Sequence, residues 1–355
     1  MKASRPVAIG IAALGLILLI AGPLIPGGER LVRNTPPNSG HITDLGRADD
    51  GSILAGTQEG ELWRYAKDRW APVNVDLGGH PVTALSADLS GDASKGPIGT
   101  SGGLYNAPDG MPELPAPVRD EILASDRLLV ATGKGLYVQG DGQWLEALEG
   151  TSLYRLETQQ LGDELWLHIG TVGEGVYSAR AADPLNWQPN REGLPAGLNV
   201  FSFVMTDGGR LIAGSDKGLF WQQAPMQPWQ RLKVGLENSR MLSLYLEPAK
   251  PNQAERLWIG SDDGLWRLEI NAADSAPEAK SFAELIQAPP GHVQYGVSWI
   301  LPFGDGVMLS AGSVYQFGPM GLKGWYWISL AGLVLLLVGG WLTPSRNDAD
   351  TPKTA

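Results

Sequence analysis

Between residues 27 and 320 the chain is a succession of short apolar runs broken by glycine, aspartate and asparagine. The fullest instance is Arg256-Leu-Trp-Ile-Gly-Ser-Asp-Asp-Gly-Leu-Trp-Arg267: an apolar strand enters Gly-Ser, a tight turn closes on Gly264, and a second strand leaves with an aromatic residue. The phrase recurs at Leu54–Trp63, Ile98–Tyr105, Leu129–Tyr137, Ile169–Tyr177, Ile212–Phe220 and, worn, at Leu309–Tyr315. Aligned on the turn, the copies fall at Gly60, Gly103, Gly135, Gly175, Gly218, Gly264 and Ser313. Intervals of roughly 30 to 50 residues are those of propellers and solenoids.

Each copy is longer than its phrase. An apolar or small strand precedes it at residues 41–45, 81–85, 153–156, 200–204, 241–246 and 297–301. A tryptophan-led strand follows it at Arg69–Val73, Gln143–Leu148, Asn186–Pro189 and Pro228–Leu232. Four short strands at this period make a propeller blade. A sandwich would not repeat a phrase, and solenoid coils are usually shorter. The fold expected is therefore all-β, a seven-bladed propeller. Its seventh copy has three strands and then reaches an apolar stretch, while residues 28–34 precede the first blade without a blade of their own. Those residues are expected to supply the missing outer strand, so that pairing of the N- and C-terminal strands closes the ring and removes its open edges.

The two ends read differently. Pro6 to Ile25 and Trp325 to Leu342 carry no charge. About twenty helical residues span roughly 30 Å, the thickness of a hydrocarbon core. Trp325, Tyr326 and Trp327 at one rim and Trp341 at the other resemble an interfacial aromatic belt. A cleaved signal peptide is the competing reading of the first stretch, and a buried core helix of the second. Ala8 and Ala12, four residues apart, would let the two helices approach closely. Lys2 and Arg5 favour a cytoplasmic N-terminus, which with two spans puts both termini in the cytoplasm and the propeller outside it, in a bacterial periplasm. The division expected is 1–26 anchor, 27–320 propeller, 321–343 second transmembrane helix and 344–355 disordered cytoplasmic tail.

Charge narrows the partners. Residues 27–320 hold 36 acids and 22 bases, a net of −14. Such a domain repels phosphate backbones, so nucleic acid is not an expected partner. With no cysteine there is no disulfide, thiolate metal site or thiol nucleophile.

No phosphate loop, Gly-x-Ser-x-Gly elbow or His-Glu-x-x-His stands in the chain. The candidate chemistry is a set of polar residues opening the inner strands. His41, His80 and His292 each follow a glycine in blades one, two and seven, which neighbour one another in a closed ring. Three imidazoles at the channel mouth would grip an anion or a metal, if they converge. The plainer alternative is that each bonds the turn of its own blade. Arg240 and Asn199 occupy comparable places in blades six and five. His168, inside a strand, is expected to be structural. The loops at Gly91–Pro97, Pro108–Pro117, Glu247–Asn252 and Asn271–Lys280 make blades two and six irregular.

The phrase Leu-Trp-Ile-Gly-Ser-Asp-Asp-Gly-Leu-Trp-Arg resembles the repeats of two-component-regulator sensor propellers. Gly40-His41 and Gly79-His80 resemble the start of a WD40 blade without its Trp-Asp ending. The trailing tryptophans are similar to those of Asp-box repeats in sialidase-like, sortilin-like and photosystem-II-assembly-factor propellers, although Ser178–Trp187 lacks the Ser-x-Asp-x-Gly spacing. The likeness covers about residues 28–318 and implies a fold, not an activity. With no catalytic set and no cofactor motif, the function expected is a membrane-anchored periplasmic scaffold or assembly module binding other envelope proteins. The alternatives are a small-ligand sensor using the channel mouth and a glycan hydrolase, which would need two opposed carboxylates.

Overall fold

A computed structural model describes residues 4–85, 96–108, 110–114, 117–248, 254–271, 278–279 and 283–342. Most of the loop at 91–97, most of that at 271–280, part of those at 108–117 and 247–252, and the tail 344–355 lie outside the described residues. The chain forms two compact units, Leu31–Gln316 and the pair of segments Met1–Arg30 with Phe317–Ala355.

The larger unit is a seven-bladed β-propeller. Its sheets are antiparallel, and in the first six the inner strands are Ile42–Arg47, Val82–Leu85, Val118–Ala124, Leu153–Leu161, Val200–Met205 and Met241–Glu247. The third of these, Val-Arg-Asp-Glu-Ile-Leu-Ala, escapes an apolar reading because three charged residues stand in a row. The seventh sheet is ordered Pro26–Arg33, Val314–Gly321, Gly306–Ser310, Trp299–Phe303. Within the ring unit, Asn34 N–H donates to Val314 O at 2.9 Å and the Thr35 hydroxyl to the same carbonyl at 3.0 Å. Blade two has three strands among the described residues, and blade six has five.

Three devices repeat, and they explain the phrase. The first is a hydroxyl latch: the Thr or Ser ending the second strand donates to the carbonyl of the turn glycine, as in Thr132 to Gly135 (2.8 Å), Thr171 to Gly175 (2.9 Å) and Ser215 to Gly218 (2.7 Å). The same oxygen accepts the N–H of Lys134, Glu174 or Lys217. All three hydroxyls are fully buried, where an unmade bond would be costly. The second device is the glycine before the latch. A methyl on Gly170 would stand 2.7 Å from Val200 O, and one on Gly56 or Gly260 would strike Val82 or Val297, the first apolar residue of the next blade. Glycine there lets adjacent blades touch backbone to side chain. The third device is the trailing tryptophan. Trp229 donates from Nε1 to Asn190 O at the end of blade four (2.9 Å), and Trp70 to Asn34 O (2.9 Å), so each staples its blade to the one before.

In the smaller unit the helices Arg5–Ala21 and Trp325–Leu342 pack antiparallel. Ala8, Gly15 and Gly22, seven residues apart, are buried along one seam, as are Ser329, Gly332 and Gly339. A methyl on Gly15 would lie 2.6 Å from Gly332 O, and one on Gly339 would lie 2.8 Å from Ala12 Cβ. The Ser329 hydroxyl donates to Leu19 O at 3.1 Å. Both helices are long and apolar enough to cross a membrane.

Candidate functional site

The inner strands build the site through a fourth repeated feature. In blades one to six the ladder skips one residue near the start of the inner strand, a β-bulge that leaves Thr43, Thr83, Arg119, Tyr154, Phe201 and Leu242 without a partner across the strand. A bulge re-aims its side chain, and all six of these border one cavity of about 380 Å3 at the mouth of the central channel. Blade seven contributes Ser298 and Trp299, and Gln58, Arg240 and Tyr295 complete the rim. Tyr154 and Phe201 meet edge to face with centroids 5.1 Å apart.

Below the mouth Arg155 crosses the channel. Its guanidinium lies 4.0 Å from the centroid of Trp299, in the opposite part of the ring, and 3.4 Å from Asp120 in the neighbouring blade. Arg155 and Trp299 border both the mouth and a second cavity of about 290 Å3, so they form the floor between the two. The lower cavity is acidic, with Asp120, Glu121 and Glu157 on its wall. Burial raises the Asp44 carboxyl well above the usual range against the pull of Arg155, and it raises Asp120 likewise. Burial pushes Glu157 up to about 7, opposed by the N–H of Thr158, which donates to it at 2.9 Å. These carboxyls give up their protons at a higher pH than ordinary ones do.

The residues singled out from sequence scatter around this mouth. Arg240 borders it, and its guanidinium is held by Asp262 at 3.0 Å. Asn199 occupies the same position one blade earlier and donates its amide to Asp216 at 2.7 Å. His41 stacks on Tyr295 with centroids 3.7 Å apart, and burial lowers its pKa. His80 is exposed and lies over Gly102 in the turn of its own blade. His292 does not open an inner strand: it begins a one-turn helix, His292–Tyr295, with Nδ1 2.8 Å from Pro289 O, and the strand starts at Trp299. The three imidazoles therefore engage separate partners. No group of His, Asp and Glu with metal-ligating geometry occurs among the described residues. His168 lies buried between Ser178 Oγ (2.8 Å) and Gln159 Oε1 (2.9 Å), and burial depresses its pKa to about 3.

Sequence reasoning passed over Arg119, Asp120, Arg155, Glu157 and Trp299. A signal was present for three of them: Asp120, Arg155 and Trp299 stand three residues after the one that opens each inner strand, where blades one, two, five and six carry Asp44, Ala84, Ser202 and Ser243. Arginine and tryptophan there face the channel.

No family model matches the sequence, and no curated protein matches it. Solved structures do. The extracellular domain of the putative one component system BT4673 from B. thetaiotaomicron matches at 14% identity and TM-score 0.61, over 81% of this chain and 39% of that one. This chain thus spans about two fifths of that sensor chain. YCF48 bound to D1 peptide matches at 16% identity and TM-score 0.55, over 82% of this chain and 99% of that one. The β-propeller domain of Myceliophteria thermophila Cps50 (Swd1) matches at 12% identity and TM-score 0.54, over 82% and 99%. The chain is thus a seven-bladed β-propeller with sensor-type, YCF48 and WD40-type structural neighbours and no single family among them.

Proposed function

We propose that this chain is a membrane-tethered propeller, closed into a wheel by its terminal strands, that serves as a binding or assembly module for other envelope proteins and catalyses no reaction. The two apolar helices would hold residues 27–320 on the periplasmic side of a bacterial inner membrane, with both termini in the cytoplasm. Their outward faces are apolar, Ile17 at 61% and Leu337 at 63% exposed, as a lipid contact requires. The observation that carries the reading is the mouth itself. Blades one to six each set one bulged side chain on it, a rigid and adaptable rim of the kind that recognises partners. YCF48, a neighbour in fold, was solved bound to a peptide, which supports the same use here. A small-ligand sensor would use the same cavity.

A photo-crosslinking residue at Thr83, on the rim, tests this in native membranes. The reading expects one discrete protein adduct, absent when the crosslinker stands at Asp126, an exposed turn residue of blade three. Rim positions that give no protein adduct overturn it.

A further inference from the structure

We infer that the channel mouth is a carboxylate-binding site, shaped for the free acid end of a peptide segment. The inference rests on the binding-module reading and names what the module grips. The ring carries a net charge of −14, yet among the described residues the mouth is bordered by three arginines and no carboxylate. Two of those arginines are already engaged, Arg240 by Asp262 and Arg155 by Asp120. Arg119 has no hydrogen bond or ion pair to any described residue, and its side chain is exposed on the bulge. The cluster thus holds one uncompensated positive charge, which matches a single carboxylate better than a doubly charged phosphate. A guanidinium fork donates to both oxygens of a carboxylate side by side.

The rest of the cavity fits a peptide. Tyr154, Phe201 and Leu242 form an apolar wall for the side chain next to the acid. Thr43, Thr83 and Gln58 present the hydroxyls and amide that an extended backbone needs. The volume of about 380 Å3 falls in the range of small-ligand sites.

The test is calorimetric titration of the full chain in detergent with N-acetyl-phenylalanine, its C-terminal amide and inorganic phosphate. The acid is expected to bind at least about tenfold more tightly than the amide and more tightly than phosphate, the worth of one charge-assisted bond. Arg119→Gln should lower the affinity for the acid about tenfold, and Arg119→Lys by less, with the melting temperature unchanged because the side chain supports nothing. Equal binding of acid and amide, tighter binding of phosphate, an unaffected Arg119→Gln variant, or no binding of the acid at millimolar concentration overturns the inference. The crosslink at Thr83 separates the two levels. An adduct without acid binding sinks only the carboxylate; acid binding without an adduct sinks the protein-binding module.

Discussion

At the scale of the residue, the repeat is explained by what its invariant-looking positions must avoid. Thr132 ends its strand with two bonds to one buried hydroxyl, and Thr132→Val keeps the shape while removing both. The expected loss is about 1–3 kcal/mol, read as a lower urea midpoint with an unchanged slope. Gly260 faces Ser243 and the carbonyl of Val297, so Gly260→Ala forces one strand off the next blade. It should cost about 1–3 kcal/mol by the same measurement, whereas the loss at a turn glycine with open space around it, such as Gly162, comes from its φ of 57° alone. These glycines and hydroxyls were legible because a Gly-Thr or Gly-Ser pair stands at the same place in five of the seven copies, with Ala131-Thr132 in blade three. The bulged residues were not, because a side chain released from the ladder obeys no rule of type: threonine, arginine, tyrosine, phenylalanine and leucine all serve. The histidines drew notice by rarity, and rarity carries no direction. His41 meets a tyrosine ring and His80 covers a turn of its own blade.

At the scale of the element, blades and helices were read with unequal success. Alternating apolar runs exposed six inner strands, and the third was hidden because Arg119, Asp120 and Glu121 replace the pattern where the strand lines the channel. The lining of the channel had overwritten the signal. In the helix pair, the close approach anticipated at Ala8 and Ala12 extends through Gly15 and Gly22, a seven-residue spacing that a four-residue motif does not describe. The seam makes a sharp prediction. Gly332→Leu places a side chain where Gly15 O and Leu19 N stand within about 2.6 Å of its first carbon, so the helices must separate. That change should lower the detergent melting temperature of the helix pair by several degrees, while Gly340→Leu, which meets nothing within 4 Å, should leave it in place.

At the scale of the whole molecule, the channel floor ties stability to pH. Glu157 shares its surroundings with Arg155, Asp120 and Glu121. In the unfolded chain its carboxyl gives up a proton near its ordinary value of 4.5, and in the ring it does so near 7. Between those values the native state holds a proton that the unfolded state has released. The contribution of Glu157 to stability is therefore greatest below the window and falls as pH rises through it, by at most about 3 kcal/mol. Asp44 and Asp120, raised by the same burial, act with the same sign, while the buried His168 acts with the opposite sign below its unfolded value of 6.5. Glu157→Gln should make the protein more stable than the parent at pH 8 and leave the two alike at pH 5, as measured by denaturant midpoints across that range. A Glu157→Gln variant no more stable than the parent at pH 8 would refute this account.

The bulges of the inner strands have one more consequence. The six bulged side chains sit outside the hydrogen-bond ladder, and in blades two, three, five and six the residue before the bulge meets a glycine of the preceding blade. The lining of the mouth and the contacts between blades are thereby built from different atoms. A lineage built on this frame can exchange what it grips by drift at a handful of unconstrained positions, without first having to survive a loss of folding.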